Sequence, residues 1–132
     1  MSHRRAAKND ANQIEMVEIL RKSGFSVETG HDDVLIGRND VTQWTELKKS
    51  SPFGKKGKIL KGFIKDSQYK ILRTWKGQYN IIWRIDQVRA LYNLTEKKGF
   101  FPIGLTPQMF KFHYKEWLTK EELIRLKSLP WW

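Results

Sequence analysis

The sequence predicts an α/β fold: a mixed central β-sheet flanked by helices, with an extra helical segment at its C-terminal end. Three observations lead there. Stretches with period-two alternation, around 25–28, 33–36 and 41–48, give way to stretches with apolar spacing of three and four, around 65–76 and 86–97. Residues 79–85 form a nearly continuous apolar run, as expected of a strand near the centre of a sheet. Beyond about residue 99 the signals are those of helix starts, Thr106-Pro107 and Thr119-Lys120-Glu121-Glu122.

The first helix is expected over 10–22, where Ile14, Met16, Val17, Ile19 and Leu20 make a broad apolar stripe that Gly24 ends. At about 100° per residue, Glu15 lies at the border of that stripe, where a carboxylate can look into a cleft. Phe25 and Val27 alternate with Ser26 and Glu28 in a short strand. Gly30 precedes the His31-Asp32-Asp33 turn into a second strand. A hairpin through Gly37-Arg38-Asn39-Asp40 leads to a third, over 41–48.

Residues 50–64 mix Gly, Pro and Ser with lysines and read as a mobile basic loop. A helix over 65–76 turns Tyr69 and Leu72 inward, with Ile71 or Trp75, before Gly77 closes it. After the 79–85 strand, Asp86 is the expected N-cap of a helix carrying Val88, Leu91, Tyr92 and Thr95 on one face, stopped by Gly99. Residues 100–105 fit strand or loop. Thr119 with Glu122 forms a capping box, and Leu118 with Leu123 a hydrophobic staple. Residues 1–98 form the expected core, and 99–132 a helical extension packed on the core or on a partner.

With 132 residues and 15.7 kDa the chain has the size of a single domain. Its net charge of +11 suits a polyanionic partner. The excess is local: residues 47–100 carry 14 basic and 3 acidic side chains, whereas 1–46 carry 6 and 8. The absence of cysteine excludes disulfides and thiolate zinc sites and fits a reducing cytoplasm. Met1-Ser2-His3-Arg4-Arg5 has no signal-peptide character and no apolar run reaches spanning length, so a cytoplasmic protein without a membrane partner is expected.

The chemistry-bearing pattern is Asp33 at the head of Val34-Leu35-Ile36, followed on the next strand by Glu46-Leu47-Lys48. Alternation puts Thr42, Trp44, Glu46 and Lys48 on one face. Paired in a hairpin, the strands bring two carboxylates and an ammonium together. Magnesium takes oxygen ligands and keeps several waters, so Asp33, Glu46 and the carbonyl of Leu47 suffice to hold Mg²⁺ or Mn²⁺. Lys48 is then placed to orient an attacking water or neutralise developing charge. The plainer alternative is a turn cap and a solvated strand face.

At these residues the chain resembles the PD-(D/E)XK nuclease superfamily, in particular small phage nucleases of the VRR-NUC and Holliday-junction-resolvase-like type. The likeness lies in Arg4 to Glu15, in Asp33-Val34-Leu35-Ile36-Gly37 with Glu46-Leu47-Lys48, and in Gln68 followed by Trp75-Lys76-Gly77-Gln78-Tyr79. It implies a restriction-endonuclease-like core and Mg²⁺-dependent cleavage of DNA, with branched or junction DNA as substrate and a homodimer as the working form. It also implies Asp33 and Glu46 as metal ligands, Lys48 as catalytic lysine, Glu15 as an auxiliary acidic ligand and Gln68 as a helix residue facing the site.

Where the family motif usually has proline, this chain has Asp32, so Asp32 and Asp33 compete for the ligand role. Asp33 is favoured because it directly precedes the Val-Leu-Ile strand. Lys49, Ser50, Lys55, Lys56, Lys58, Lys61 and Lys65 are the expected phosphate contacts, since like charges this dense repel unless a polyanion neutralises them. Phe53 and Phe63, interleaved with them, are candidates to stack on unpaired bases, although core packing or loop anchoring is favoured for Phe63, whereas Trp44, Trp75 and Trp83 read as core. Trp131 and Trp132 close a dimer, fill a groove or dock on their own domain. The alternative to a nuclease is a non-catalytic nucleic-acid-binding protein that retains the nuclease fold.

Overall fold

Alternation sends successive side chains of a strand to opposite faces, and in this chain helices pack on both faces. A computed structural model describes residues 14–29, 33–97 and 103–132. Four strands, β1 (Ser26–Glu28), β2 (Asp33–Arg38), β3 (Val41–Leu47) and β4 (Tyr79–Ile82), lie in that order in one sheet. The first three are antiparallel, and β4 runs parallel to β3. Helix α1 spans residues 14–22, followed by α2 (Asp66–Thr74), α3 (Ile85–Glu96), α4 (Pro107–Trp117) and α5 (Lys120–Lys127).

The strand residues sort into two cores. Val27, Val34, Ile36, Leu47 and Ile82 pack with Met16, Val17 and Leu20 of α1 and with Val88 and Leu91 of α3. Tyr79 and Ile81 pack on the other side, with Tyr69 and Leu72 of α2, Phe110 of α4 and Leu126 of α5. The architecture is therefore α/β with a mixed sheet, as the sequence predicts. Of the C-terminal extension, Leu105, Phe110, Leu118 and Leu126 belong to the second core, while Ile103 packs against the first. Leu105 exchanges backbone hydrogen bonds with Ile81 at 2.8 and 3.0 Å. Gly104 makes that approach possible, because at its φ of +75° a Cβ would lie 2.1 Å from the Ile81 carbonyl oxygen. No helix among the described residues is long and apolar enough to cross a membrane.

Several local expectations change. The hairpin turn is only two residues, Asn39 and Asp40, both at positive φ (51° and 64°), while Gly37 and Arg38 stay in β2. Asn and Asp tolerate this geometry, which matches the right-handed strand twist. Arg38 fixes the end of the hairpin to α3, donating to Thr95 Oγ1 at 3.1 Å and Glu96 Oε1 at 2.7 Å with its guanidinium 4.0 Å over the Tyr92 ring.

β4 stops at Ile82, because Gln87 of α3 reaches back with Oε1 to accept from Trp83 N (2.6 Å) and Arg84 N (2.9 Å). Arg84 is consequently the N-cap of α3, and Asp86 lies inside its first turn. Although every residue of β4 is buried, it is the last of the four strands rather than central.

The 50–64 segment is a packed hairpin rather than a mobile loop. Gly54 N donates to Lys58 O at 2.7 Å and Leu60 N to Pro52 O at 2.8 Å, while Ile59 and Ile64 are buried. Ile59 N and Lys58 Nζ donate to the carbonyls of Trp117 and Glu116 at 2.8 and 2.6 Å, supplying partners that the last turn of α4 lacks internally.

At α5, Thr119 Oγ1 accepts from Glu122 N at 3.2 Å as expected. The Glu122 carboxylate turns to Arg125, 3.0 Å from its Nε, instead of closing a capping box. Trp132 docks on its own domain, edge-on to Tyr114 at 5.3 Å and under the Arg73 guanidinium at 4.8 Å.

Candidate active site

The two-residue turn sets the β2–β3 register, and that register pairs Asp33 with Glu46 and Leu35 with Trp44. These four side chains share the face that carries α2, together with Tyr79 and Ile81 of β4. α2 covers β4 and part of β3 but leaves Leu35 on β2 about half exposed. At the margin of the helix a pocket of about 520 Å³ opens, lined by Asp33, Trp44, Glu46, Lys65, Gln68 and Tyr79, with Ser67 and Ile71. Asp33, Glu46 and Gln68 thus come together as the sequence predicts.

Directly opposed cross-strand side chains have Cβ atoms about 5 Å apart, within the reach of one cation. Glu46 is only 5% exposed, so its charge is held away from bulk water. Lys48 follows the last residue of β3, anchored by its backbone N–H to Ile82 O at 2.9 Å. Its Nζ lies 3.7 Å from Glu46 Oε1 and 5.5 Å from the centre of the Phe63 ring. The ammonium partly offsets the repulsion between the two carboxylates. Burial pushes the Tyr79 phenol well above its ordinary value, and the Glu46 and Asp33 charges push it further, so the phenol stays protonated beside them.

Gln68 is nine-tenths buried at the third position of α2, where its Oε1 accepts from Lys65 N at 3.1 Å. The same side chain therefore caps the helix and faces the pocket. Lys65 itself stands exposed on the rim. Leu47 buries its side chain in the core on the opposite face, so any contribution to a cation comes through its carbonyl.

Glu15 does not join the pair. It is exposed on α1, which packs on the other side of the sheet, and the described residues contain no group of three or more His, Cys, Asp or Glu able to hold a metal. His31, Asp32 and the Arg4–Gln13 part of the resemblance lie outside the described residues, as do Gly30 and Gly99.

Of the expected phosphate contacts, Lys49, Ser50, Lys55, Lys56, Lys61 and Lys65 are exposed. Lys58 is engaged with the end of α4 and is better described as a docking residue. Phe53 packs edge-on against Trp117 at 5.0 Å and Trp83 at 6.4 Å, which removes it from base stacking. Trp44 lines the carboxylate pocket and Trp75 is 42% exposed, so neither is simply core. The period-two relation of Trp44 to Glu46 already placed it on the carboxylate face. Comparison with models of known protein families, with curated proteins and with solved structures found no match.

Proposed function

We propose that the protein is a divalent-metal-dependent endonuclease that hydrolyses DNA phosphodiester bonds, of the PD-(D/E)XK kind its sequence resembles. The observation that carries this reading is the direct opposition of Asp33 and Glu46 at a pocket, with the Lys48 ammonium 3.7 Å from Glu46. The donor set fits Mg²⁺ or Mn²⁺: two carboxylates on stiff paired strands, with the Leu47 carbonyl next in sequence and the remaining positions left to water. Bound there, the ion supplies Lewis acidity toward a phosphoryl oxygen and lowers the pKa of a coordinated water.

The protein's own groups have separate tasks. Asp33 and Glu46 bring two negative charges to one side of the pocket, Glu46 with Lys48 beside it. Lys48 offers an ammonium to the anionic oxygens that gain charge in the transition state. Lys65 at the rim, with Lys55, Lys56 and Lys61 on the preceding hairpin, attracts the polyanion before chemistry begins. Branched or junction DNA is the proposed substrate and a homodimer the proposed working form, since symmetric cutting of two strands suits a twofold assembly. A cytoplasmic setting belongs to the same proposal.

The test is incubation of the protein with linear, flapped and four-way-junction DNA in Mg²⁺ or EDTA. Metal-dependent cleavage that Glu46→Ala and Lys48→Ala abolish, with binding retained, is the expected result. Absence of metal-dependent cleavage of all three substrates would overturn it. A second reading, a binding protein that keeps the fold without catalysis, draws on the Glu46–Lys48 ion pair, which needs no cation to balance Glu46. Under it, both variants retain salt-sensitive DNA affinity and the wild type cuts nothing.

A further inference from the structure

Trp75 is an exposed tryptophan held in a fixed pose. Its indole Nε1–H donates to the Gln78 carbonyl at 3.2 Å, and the ring lies so close over Gly77 that a Cβ there would sit 2.9 Å from Nε1. Pinned in this way it meets Trp44 edge-on at 5.2 Å. Leu35, half exposed and the cross-strand partner of Trp44, completes an apolar surface beside the indoles. Together with Asp40, Val41 and Gln78 these residues border an open depression of about 650 Å³. Large apolar side chains gathered at a water-facing surface mark a binding site more often than an accident of packing.

Trp44 belongs to two surfaces at once. It lines the carboxylate pocket with Asp33 and Glu46, and it lines the Trp75 depression. A ligand whose charged part sits at the carboxylates therefore reaches the indoles with its next segment. The charge pattern separates the two: Lys65 stands at the carboxylate pocket, whereas Asp40 is the charged residue lining the depression. A phosphate can be seated at the first only through a cation held by Asp33 and Glu46, with Lys65 beside it, and the second has no cation to offer one, which leaves a flat, uncharged, aromatic-seeking group for the indoles.

We propose that Trp75, supported by Trp44 and Leu35, is a stacking platform for an unpaired nucleobase adjacent to the phosphate at Asp33 and Glu46. The inference rests on the nuclease reading for the placement of that phosphate. A paired base has both faces stacked inside the duplex, so the platform selects single-stranded DNA or the unpaired nucleotides of a branch. Stacking on an aromatic side chain tolerates any base, so the site carries structure preference without sequence preference.

The experiment measures binding of a labelled oligo(dT) and of a blunt duplex by fluorescence anisotropy with Ca²⁺ in place of Mg²⁺, on DNA checked to remain intact. Trp75→Ala is expected to weaken oligo(dT) binding roughly tenfold and to leave duplex binding unchanged. Trp75→Phe should keep most of the affinity, and Gly77→Ala, which displaces the indole without removing it, should fall between. Equal losses on both ligands, or none on oligo(dT), would overturn the platform. If Trp75→Ala perturbs folding by circular dichroism, Trp75→Phe and Gly77→Ala decide. A change in oligomeric state caused by Trp75→Ala would assign the surface to a second copy of the chain and also overturn it. Wild-type cleavage in Mg²⁺, measured in parallel, separates the two ideas: Trp75-dependent oligo(dT) binding without cleavage sinks the nuclease and keeps the platform. Cleavage with Trp75-independent binding does the reverse.

Discussion

Asp33 and Glu46 are direct cross-strand partners, two carboxylates side by side on a sheet face that a helix half covers. Like charges in this arrangement destabilise a sheet, so the pair costs the fold something. Asp33→Asn is expected to raise stability by about 0.5 kcal/mol, on the order of 2 °C in Tm. Mg²⁺ should raise the Tm of the wild type and leave that of Asp33→Asn unmoved, because only a cation-binding native state gains from the ion. Thermal melts with and without Mg²⁺ check both halves.

Glu46 and Lys48 form a second, opposite-sign pair whose side chains are 6% and 13% exposed. Removing one member of a buried pair leaves an uncompensated charge. Lys48→Met should cost on the order of 3 kcal/mol in urea unfolding. Adding Glu46→Gln to Lys48→Met should recover much of the loss, and a double-mutant cycle that is simply additive would show that the pair does not couple.

Acid sensitivity is expected at α2. Arg125 donates to both carboxylate oxygens of Asp66 at 2.9 Å, and these hydrogen bonds hold the Asp66 carboxyl below its ordinary range. A depressed carboxylate contributes stability that is present above the unfolded value and lost as pH falls through the folded one. Asp66→Asn should therefore lower Tm at pH 7, with the gap to wild type closing below about pH 4. Because Asp66 is about half exposed, the effect stays under about 1 kcal/mol. A gap that persists to pH 3 would remove this account.

The C-terminal segment is structural. Leu118 and Leu126 are buried in the core that also holds Tyr69 and Leu72 of α2. Leu126→Ala is expected to cost about 3 kcal/mol, measurable as a shifted urea midpoint. Deleting 118–132 should then impair the carboxylate pocket through α2, not merely remove a surface for partners. Full retention of cleavage and cooperative unfolding in the truncated chain would show the segment to be dispensable.

Much of this was legible in the sequence, and the failures have physical causes. Period-two alternation at 33–36 and 41–47 located both strands and put Asp33, Glu46 and Trp44 on one face. Thr106 and Thr119 announced their helices, because capping chemistry is local. The lysine-rich hairpin was misjudged because its order comes from Trp117 and Glu116, some 60 residues away, which composition does not reveal. Gln87 rather than Asp86 set the start of α3, a side chain reaching back four residues to Trp83. Glu15 sat on the right border of its helix, but only tertiary packing decides which sheet face that helix covers. Trp75 read as core because its spacing in the helix is right; the helix ends at Thr74, and the indole turns outward.

The Asn39-Asp40 turn acts as a counting device for the chemistry. Counted from Arg38–Val41, the pair that closes the turn, Asp33 and Glu46 are the sixth pair along the ladder. Inserting one residue at the turn would offset the strands so that Glu46 no longer faces Asp33, and would send one strand's alternation to the wrong side of the sheet. A segment well away from the carboxylates, with no reacting group of its own, therefore decides whether they meet.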